Sequence, residues 1–366
     1  MTAPIVERLT LWRLRVPLKT PYKLAFGPLY AFDMVLVEVC NDHGDVGWGE
    51  ATMLTGYTKE TIEQAWTTAK EIADGMVGRQ VVDLKAGALE HHPRTPFIAT
   101  AFVSAVELAE GHQILRTDQK RRVPLLAIVN ATEFAAIADE VDARLSEGYR
   151  TLKVKAGFDL AEDMHRLAFI QDHVAGRARL RVDANQGYSK ADGIALVAGM
   201  APDGIELVEQ TCAAGDWDAA VAVANAARGS GIRVMLDESI FVLEDVDRAA
   251  DLNCADIIKL KLLKAGGLDA LTHGLAHIRA KGMGRVLGNG VAGDIGCWME
   301  ACVAACLIDN AGEMNGFLKP STRLFEVPMY LESGSLVLTN GQVRADLEAL
   351  EHHMLDRFDD RRGGRA

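Results

Sequence analysis

No pair of cysteines in this chain has CxxC spacing, and no β-like run ends in histidine or cysteine. These absences exclude a zinc knuckle and a site built of nitrogen and sulfur ligands. The six cysteines are scattered, and free thiols fit a reducing cytoplasm. Cys302 and Cys306 are four apart, and both are expected to pack as small buried hydrophobes on one helix face. Basic residues are outnumbered, 39 against 51, for a net charge of −12, which argues against nucleic acid as the main partner. Long apolar runs are also missing. The most apolar stretch, 291–308, is broken by Asp294 and Glu300, so no membrane span is expected. Charges throughout the first residues leave no signal-peptide core. What remains is a globular composition, 49% hydrophobic and 25% charged, over 366 residues. That length suits one large domain or two of ordinary size.

Three regions differ in pattern. In 1–122, runs at 5–16 and 33–39 read as strands, with a turn at 41–44 leading to a third strand near Trp48. Helical patterns follow at 59–76 and 96–115, which makes this a small α+β domain. In 123–318, short β-branched runs alternate with amphipathic stretches. The runs fall at 125–129, 151–155, 180–183, 205–209, 232–236, 256–261, 284–287 and 313–317. Alternating units of this kind mean parallel βαβ structure, and eight of them fit a closed (β/α) barrel. No GxGxxG follows the first strand of this region, which counts against an open dinucleotide-binding sheet. In 319–366, runs at 334–338 and 343–346 flank Asn340-Gly341 and predict a hairpin. This segment is expected to return to the first domain and to end in a frayed tail over 356–366.

The chemistry lies at the ends of the barrel runs. Lys155, Asp183, Glu209, Asp237 and Lys261 follow one another at intervals of 28, 26, 28 and 24 residues, one βα unit each. All five should therefore stand at one height at the C-terminal mouth, where barrel enzymes keep their active sites. Three carboxylates on adjacent strands repel unless a cation neutralises them, and oxygen ligands suit Mg²⁺. The lysines flank the carboxylates in strand order. Lys153 shares a strand face with Lys155 about 7 Å away, so each should disfavour the other's protonation. Lysine serves as a base only when neutral. A substrate carboxylate on Mg²⁺ would have its enolate stabilised by metal and ammonium charge. Two bases on opposite faces permit proton removal on one side and return on the other, or elimination. Asn185 either joins this site or closes a turn, and Glu238 either binds the metal or supports a ligand.

PLKTPYKLAFG (17–27), GWGEA (47–51), TLKVKAG (151–157), VDANQGY (182–188), VEQ (208–210), LDES (236–239) and KLLKAGG (261–267) together resemble the enolase superfamily, muconate lactonizing enzyme subgroup, over nearly the whole chain. The resemblance implies a (β/α)7β barrel of the TIM type, with an α+β capping domain made from both termini. It implies Asp183, Glu209 and Asp237 as Mg²⁺ ligands, Lys155 and Lys261 as the acid/base pair, and Lys153 as a helper. Capping loops near 19–27 and 53–57, which carry Tyr22 and Tyr57, would select a small carboxylate substrate. No histidine ends the seventh strand, unlike the mandelate racemase subgroup. Family analogy also suggests a homo-oligomer.

Departures from the family pattern bear on substrate. Gly288-Asn289-Gly290-Val291 follows the seventh strand, and the eighth reads Glu313-Met314-Asn315 where dipeptide epimerases typically show Asp-x-Asp. Glu313 could hold a substrate ammonium or form a salt bridge at the barrel rim, and Asn289 could contact substrate. The stretch 288–306 with 313–319 is similar to cis-3-hydroxy-L-proline dehydratases, which makes elimination of water from a cyclic amino acid, with 2-epimerization, the first expectation. The alternatives are a dipeptide or N-acyl amino acid racemase/epimerase and a muconate cycloisomerase. Outside this class stand a Schiff-base aldolase using the strand-six lysine and a non-catalytic carboxylate-binding barrel.

Overall fold

The structure is a computed structural model that describes residues 3–24 and 27–361. Three strands open the chain: β1 (Val6–Leu24), β2 (Gly27–Asn41) and β3 (Val46–Thr52). They form an antiparallel sheet whose inner face, including Leu9, Leu11, Val35 and Val37, is fully buried. Three helices cover this cap: Ile62–Ala73, Val81–His91 and Pro96–Ala109. The first starts with a Thr61–Gln64 capping box, and the third begins with proline at its first turn. The third helix is buried almost throughout. It sits so close to β3 that a Cβ on Gly47 would lie 1.8 Å from the Ala105 carbonyl oxygen, and one on Gly49 1.9 Å from that of Ala101. The glycines of GWGEA are therefore steric requirements.

A short strand, β4 (Arg121–Pro124), leads into the barrel. Seven parallel strands follow: β5 (Ala127–Val129), β6 (Thr151–Lys155), β7 (Arg179–Asp183), β8 (Ile205–Glu209), β9 (Val234–Leu236), β10 (Ile257–Leu260) and β11 (Gly284–Leu287). They lie in sequential order in one curled sheet with helices between them. The architecture is an α/β barrel with a separate antiparallel cap. The eighth expected strand, 313–317, is not one. A parallel bridge between Leu125 and Gly312 occupies that position, with Leu126 N–H donating to the Gly312 oxygen at 3.0 Å. On the other side Glu313 N–H donates to the Leu287 oxygen at 3.0 Å, and a 3-10 turn, Gly316–Leu318, follows. Closure thus needs only a few backbone bonds, too few for a β pattern in the sequence.

The last region differs most from expectation. It contains β12 (Phe325–Glu326), β13 (Met329–Glu332), β14 (Ser335–Leu338), β15 (Arg344–Ala345) and β16 (Met354–Arg361). The hairpin turns at Ser333-Gly334, both at positive φ, and not at Asn340-Gly341. β14 pairs with β13 and β4, while β15 pairs with β12. The supposed frayed tail is a strand as far as Arg361, antiparallel to β1, so the C-terminus does complete the cap sheet; residues 362–366 lie outside the described residues. The alternating charges of this strand read as a solvated tail until β1 is present to pair with it. The helix Val81–His91 was not foreseen either, its apolar stripe being weak. Cys302 is buried, but Cys306, at the solvent side of the same helix, is exposed. Among the described residues no helix is long and apolar enough to cross a membrane.

Gly49→Ala should lose about 2 kcal/mol of stability by overpacking against the Ala101 carbonyl. Gly229→Ala, in a helix with nothing within 4 Å of the added Cβ, should gain a few tenths. Urea denaturation of the two variants reads both signs.

Candidate active site

In the parallel register Lys155 lies opposite Asp183, and Asp183 opposite Glu209. Asp237 directly follows β9 and Lys261 directly follows β10. The sequence spacing thus delivers the row it promised. A cavity of about 310 Å³ opens above it. Lys153, Lys155, Lys261, Asp183, Asp237, Asn185, Glu238, Asn289, Glu313, Tyr22 and Tyr57 all line this cavity, while Glu209 lies buried beneath.

The carboxylates are held by amines. Lys155 Nζ is 2.7 Å from Asp183 Oδ2, and Lys261 Nζ is 2.8 Å from Asp237 Oδ2. Lys153 bridges Asp183 at 2.8 Å and Glu209 at 2.7 Å. Lys259 bridges Glu209 at 3.0 Å and Asp237 at 3.3 Å. Glu313 carries both buried lysines, with Lys259 at 2.6 Å and Lys153 at 3.1 Å. It forms an internal salt bridge, so the expected pairing of Glu313 with a substrate ammonium loses its ground. Among the described residues no three acidic, histidine or cysteine side chains close into a metal cage by themselves. Ammonium groups stand between the carboxylates instead.

The electrostatics follow from this packing. Burial pushes Asp183 up, but Lys153, Lys155 and Lys259 outweigh it and hold the carboxyl below its ordinary range. Asp237 is likewise held down against burial by Lys261, Lys259 and Lys264. Burial and the neighbouring Asp183 raise Glu209 to about 7, so the deepest carboxylate is the least neutralised. Lys153 moves opposite to expectation. Burial lowers it, but Asp183, Glu209 and Glu313 raise it above the usual lysine range. Its neighbours along β6 matter less than the acids across from it. Lys153 is a fixed cation, poorly suited to be a base.

Three oxygen ligands on adjacent strands fit a hard divalent cation in kind. Glu209 Oε2 is buried and has the Lys153 ammonium 2.7 Å away but no hydrogen bond. With Glu209 incompletely neutralised, this donor set suits Mg²⁺ held by Asp183, Glu209 and Asp237.

Supporting groups complete the site. Asn185 sits at φ +43°, its N–H bonds Asp183 Oδ1, and its amide reaches Lys155 Nζ at 2.6 Å and Glu238 at 3.1 Å. It closes a turn and lines the site at once. Glu238 Oε2 is buried without a partner. Asn289 Oδ1 accepts from the N–H groups of Val291 and Ala292, so it shapes the loop after β11. Tyr57 reaches in from the cap. Its hydroxyl lies 3.2 Å from Asp237, 3.1 Å from Lys261 and 2.8 Å from Lys264. Sequence reasoning left out Lys259 and Lys264. Lys259-Leu260-Lys261 repeats the alternation of Lys153-Val154-Lys155 and could have revealed the first. Lys264 lies off that alternation, buried in the four-residue helix Leu262–Ala265.

The Enolase C-terminal domain-like family matches residues 136–345, and the Mandelate racemase / muconate lactonizing enzyme N-terminal domain matches residues 8–110. The chain belongs to the enolase superfamily, of the mandelate racemase/muconate lactonizing type, and it is an enzyme. It is 29% identical to the L-Ala-D/L-Glu epimerase of Bacillus subtilis over 82% of this chain and 85% of that one. It is 22% identical to the N-succinyl-L-Arg/Lys racemase of Bacillus cereus over 72% of this chain and 74% of that one. A dipeptide epimerase from Cytophaga hutchinsonii, solved with Mg and the dipeptide D-Ala-L-Val, superposes with a TM-score of 0.86 at 22% identity. That superposition covers 97% of this chain and 99% of the other.

Two further acids are buried, Glu300 and Glu50. Glu300 Oε1 accepts from Leu262 N–H at 2.7 Å, and Glu50 of the cap accepts from Gly293 N–H at the start of the helix Asp294–Leu307. Burial raises each to about 8. The folded state therefore keeps these protons up to about pH 8, while the unfolded chain loses them near its ordinary value of 4.5. Between those limits the native state binds more protons, so this contribution to stability falls as pH rises. Glu300→Gln should flatten the decline between pH 5 and 8, each such group contributing at most about 1.4 kcal/mol per pH unit. Urea titrations of both proteins across this range check the sign.

Proposed function

We propose that this enzyme is a Mg²⁺-dependent racemase or epimerase that removes and returns the proton at the α-carbon of an amino-acid derivative, a dipeptide or an N-acyl amino acid. The observation that carries the reading is the placement of Lys155 and Lys261 on the two outer carboxylates of a three-acid row. In strand order they bracket whatever rests on that row. Asp183, Glu209 and Asp237 would hold the metal, which when bound supplies Lewis-acid stabilisation of charge on the substrate carboxylate. We assign the capping role to residues 1–122 and 319–366, and the chemistry to 123–318.

The protein's own groups do the rest. Neutral Lys155 or Lys261 takes the α-proton onto Nζ, and the ammonium across the cavity returns one to the opposite face. Lys153 and Lys259, buried and permanently charged, offset the negative charge that spreads onto the carboxylate oxygens. Tyr57 steadies Lys261 through its hydroxyl contact and, with Leu54 and Phe241, screens the cavity from water.

The relatives favour this branch over the first expectation, dehydration of a cyclic amino acid such as cis-3-hydroxy-L-proline. That expectation rested on the likeness of residues 288–306 and 313–319 to such dehydratases, while the relatives of this chain are epimerases and racemases. Glu313, which could have held a substrate ammonium, is taken by two lysines. A Schiff-base aldolase leaves the carboxylate row without a purpose.

Incubation in D₂O with Mg²⁺ should add one mass unit to a dipeptide or N-acyl amino acid substrate and no loss of water. Excess chelator should abolish the exchange, and added Mg²⁺ should restore it. Exchange undiminished after chelation would remove the metal from the account.

A further inference from the structure

Five lysines of the site, Lys153, Lys155, Lys259, Lys261 and Lys264, each lie within 4.0 Å of a carboxylate oxygen. Lys319 differs. Its Nζ donates to the Gly290 carbonyl at 2.7 Å and to Asn315 Oδ1 at 3.0 Å, and it lies 4.5 Å from the centre of the Tyr22 ring. Every one of these neighbours is uncharged, and among the described residues no carboxylate comes within ion-pair distance of it. An ammonium has three hydrogens, and two are used. Burial holds Lys319 below the ordinary lysine range, the mark of a cation not fully compensated.

The position is built rigidly. The Lys319 carbonyl accepts from Lys19 N–H at 2.9 Å, and Ser321 N–H donates to the Pro17 carbonyl at 2.8 Å, so β1 of the cap fixes the backbone on both sides. Gly290 has no Cβ where one would meet the Tyr22 hydroxyl at 3.0 Å. Burial pushes the Tyr22 hydroxyl up, yet Lys319, Lys155 and Lys153 bring it below its usual value, so the field around it is positive. Tyr22, Ile128 and Asn315 line both the active-site cavity and a neighbouring one of about 410 Å³ that Lys319 also borders. A substrate whose α-carbon lies between Lys155 and Lys261 can extend along this path.

We infer that Lys319, with Tyr22, forms an anion subsite that selects substrates carrying a carboxylate at the end distant from the α-carbon, as in an amino acid N-acylated by a dicarboxylic acid, over dipeptides with a free ammonium. The inference rests on the proposed α-proton transfer and names the substrate class of that same site. A buried cation without a counter-charge favours a ligand that brings one. The reverse ligand, a free ammonium, finds Glu313 occupied.

The test compares N-succinyl-L-alanine, N-acetyl-L-alanine and L-Ala-L-Ala by α-deuterium exchange with Mg²⁺. The kcat/KM ratio of the succinyl to the acetyl compound should fall about tenfold or more in Lys319→Met. It should shift toward the dipeptide in Lys319→Glu and return substantially in Lys319→Arg. Circular dichroism and thermal melts confirm that each variant folds. A succinyl-to-acetyl ratio unchanged within about twofold in Lys319→Met, or lost equally in Lys319→Arg, overturns the subsite. Exchange with none of the three compounds defeats the proton-transfer reading instead. Calorimetric binding of N-succinyl-L-alanine, expected to weaken by a similar factor in Lys319→Met, then still decides whether the subsite exists.

Discussion

Four carboxylates buried together at a barrel mouth would each cost several kcal/mol if left uncompensated. Lysines on the same strands meet that demand. Lys153 and Lys259 reach inward to bind Glu209 and Glu313, while Lys155 and Lys261 stand outside on Asp183 and Asp237. The inner pair fixes the geometry because both its members are pinned by acids on two or more sides. The outer pair stands at the cavity wall, where the proposed proton transfer would need it. One ion network thus separates lysines held by three acids from lysines held by one. The rigidity needed for chemistry follows from that separation.

The cap matters because it reaches this network from above. Tyr57 touches Asp237, Lys261 and Lys264 at once. Glu50 clasps the start of the helix Asp294–Leu307, and the glycines around it let the cap helix lie directly on β3. β16, from the far end of the chain, closes the edge of β1. Cap and barrel are therefore one mechanical unit at the site, joined by buried polar contacts as well as by apolar packing.

Much of this was legible in the sequence. A period of one βα unit between Lys155, Asp183, Glu209, Asp237 and Lys261 can place them only at one end of a parallel barrel. Apolar strands also leave a clear signature. What stayed hidden depended on partners distant in sequence. Lys153 is held above the usual lysine range by Asp183, Glu209 and Glu313, 30, 56 and 160 residues away. Gly312 closes the barrel through a bridge, without a strand pattern. β16 looks solvated until β1 is beside it, and Asn340-Gly341 carries a hairpin signal that the pairing of β14 with β4 overrides. Lys319 was invisible for the same reason, since its lack of a counter-charge is a property of its surroundings.

The central claim is that Lys155 and Lys261 act on opposite faces of a single α-carbon. Deuterium exchange into each pure enantiomer of one substrate, with Lys155→Ala and Lys261→Ala, tests it most directly. The account predicts that each variant labels only one enantiomer, and that the two variants label different ones. Labelling of both enantiomers by either variant, or loss of the same enantiomer in both, would contradict it.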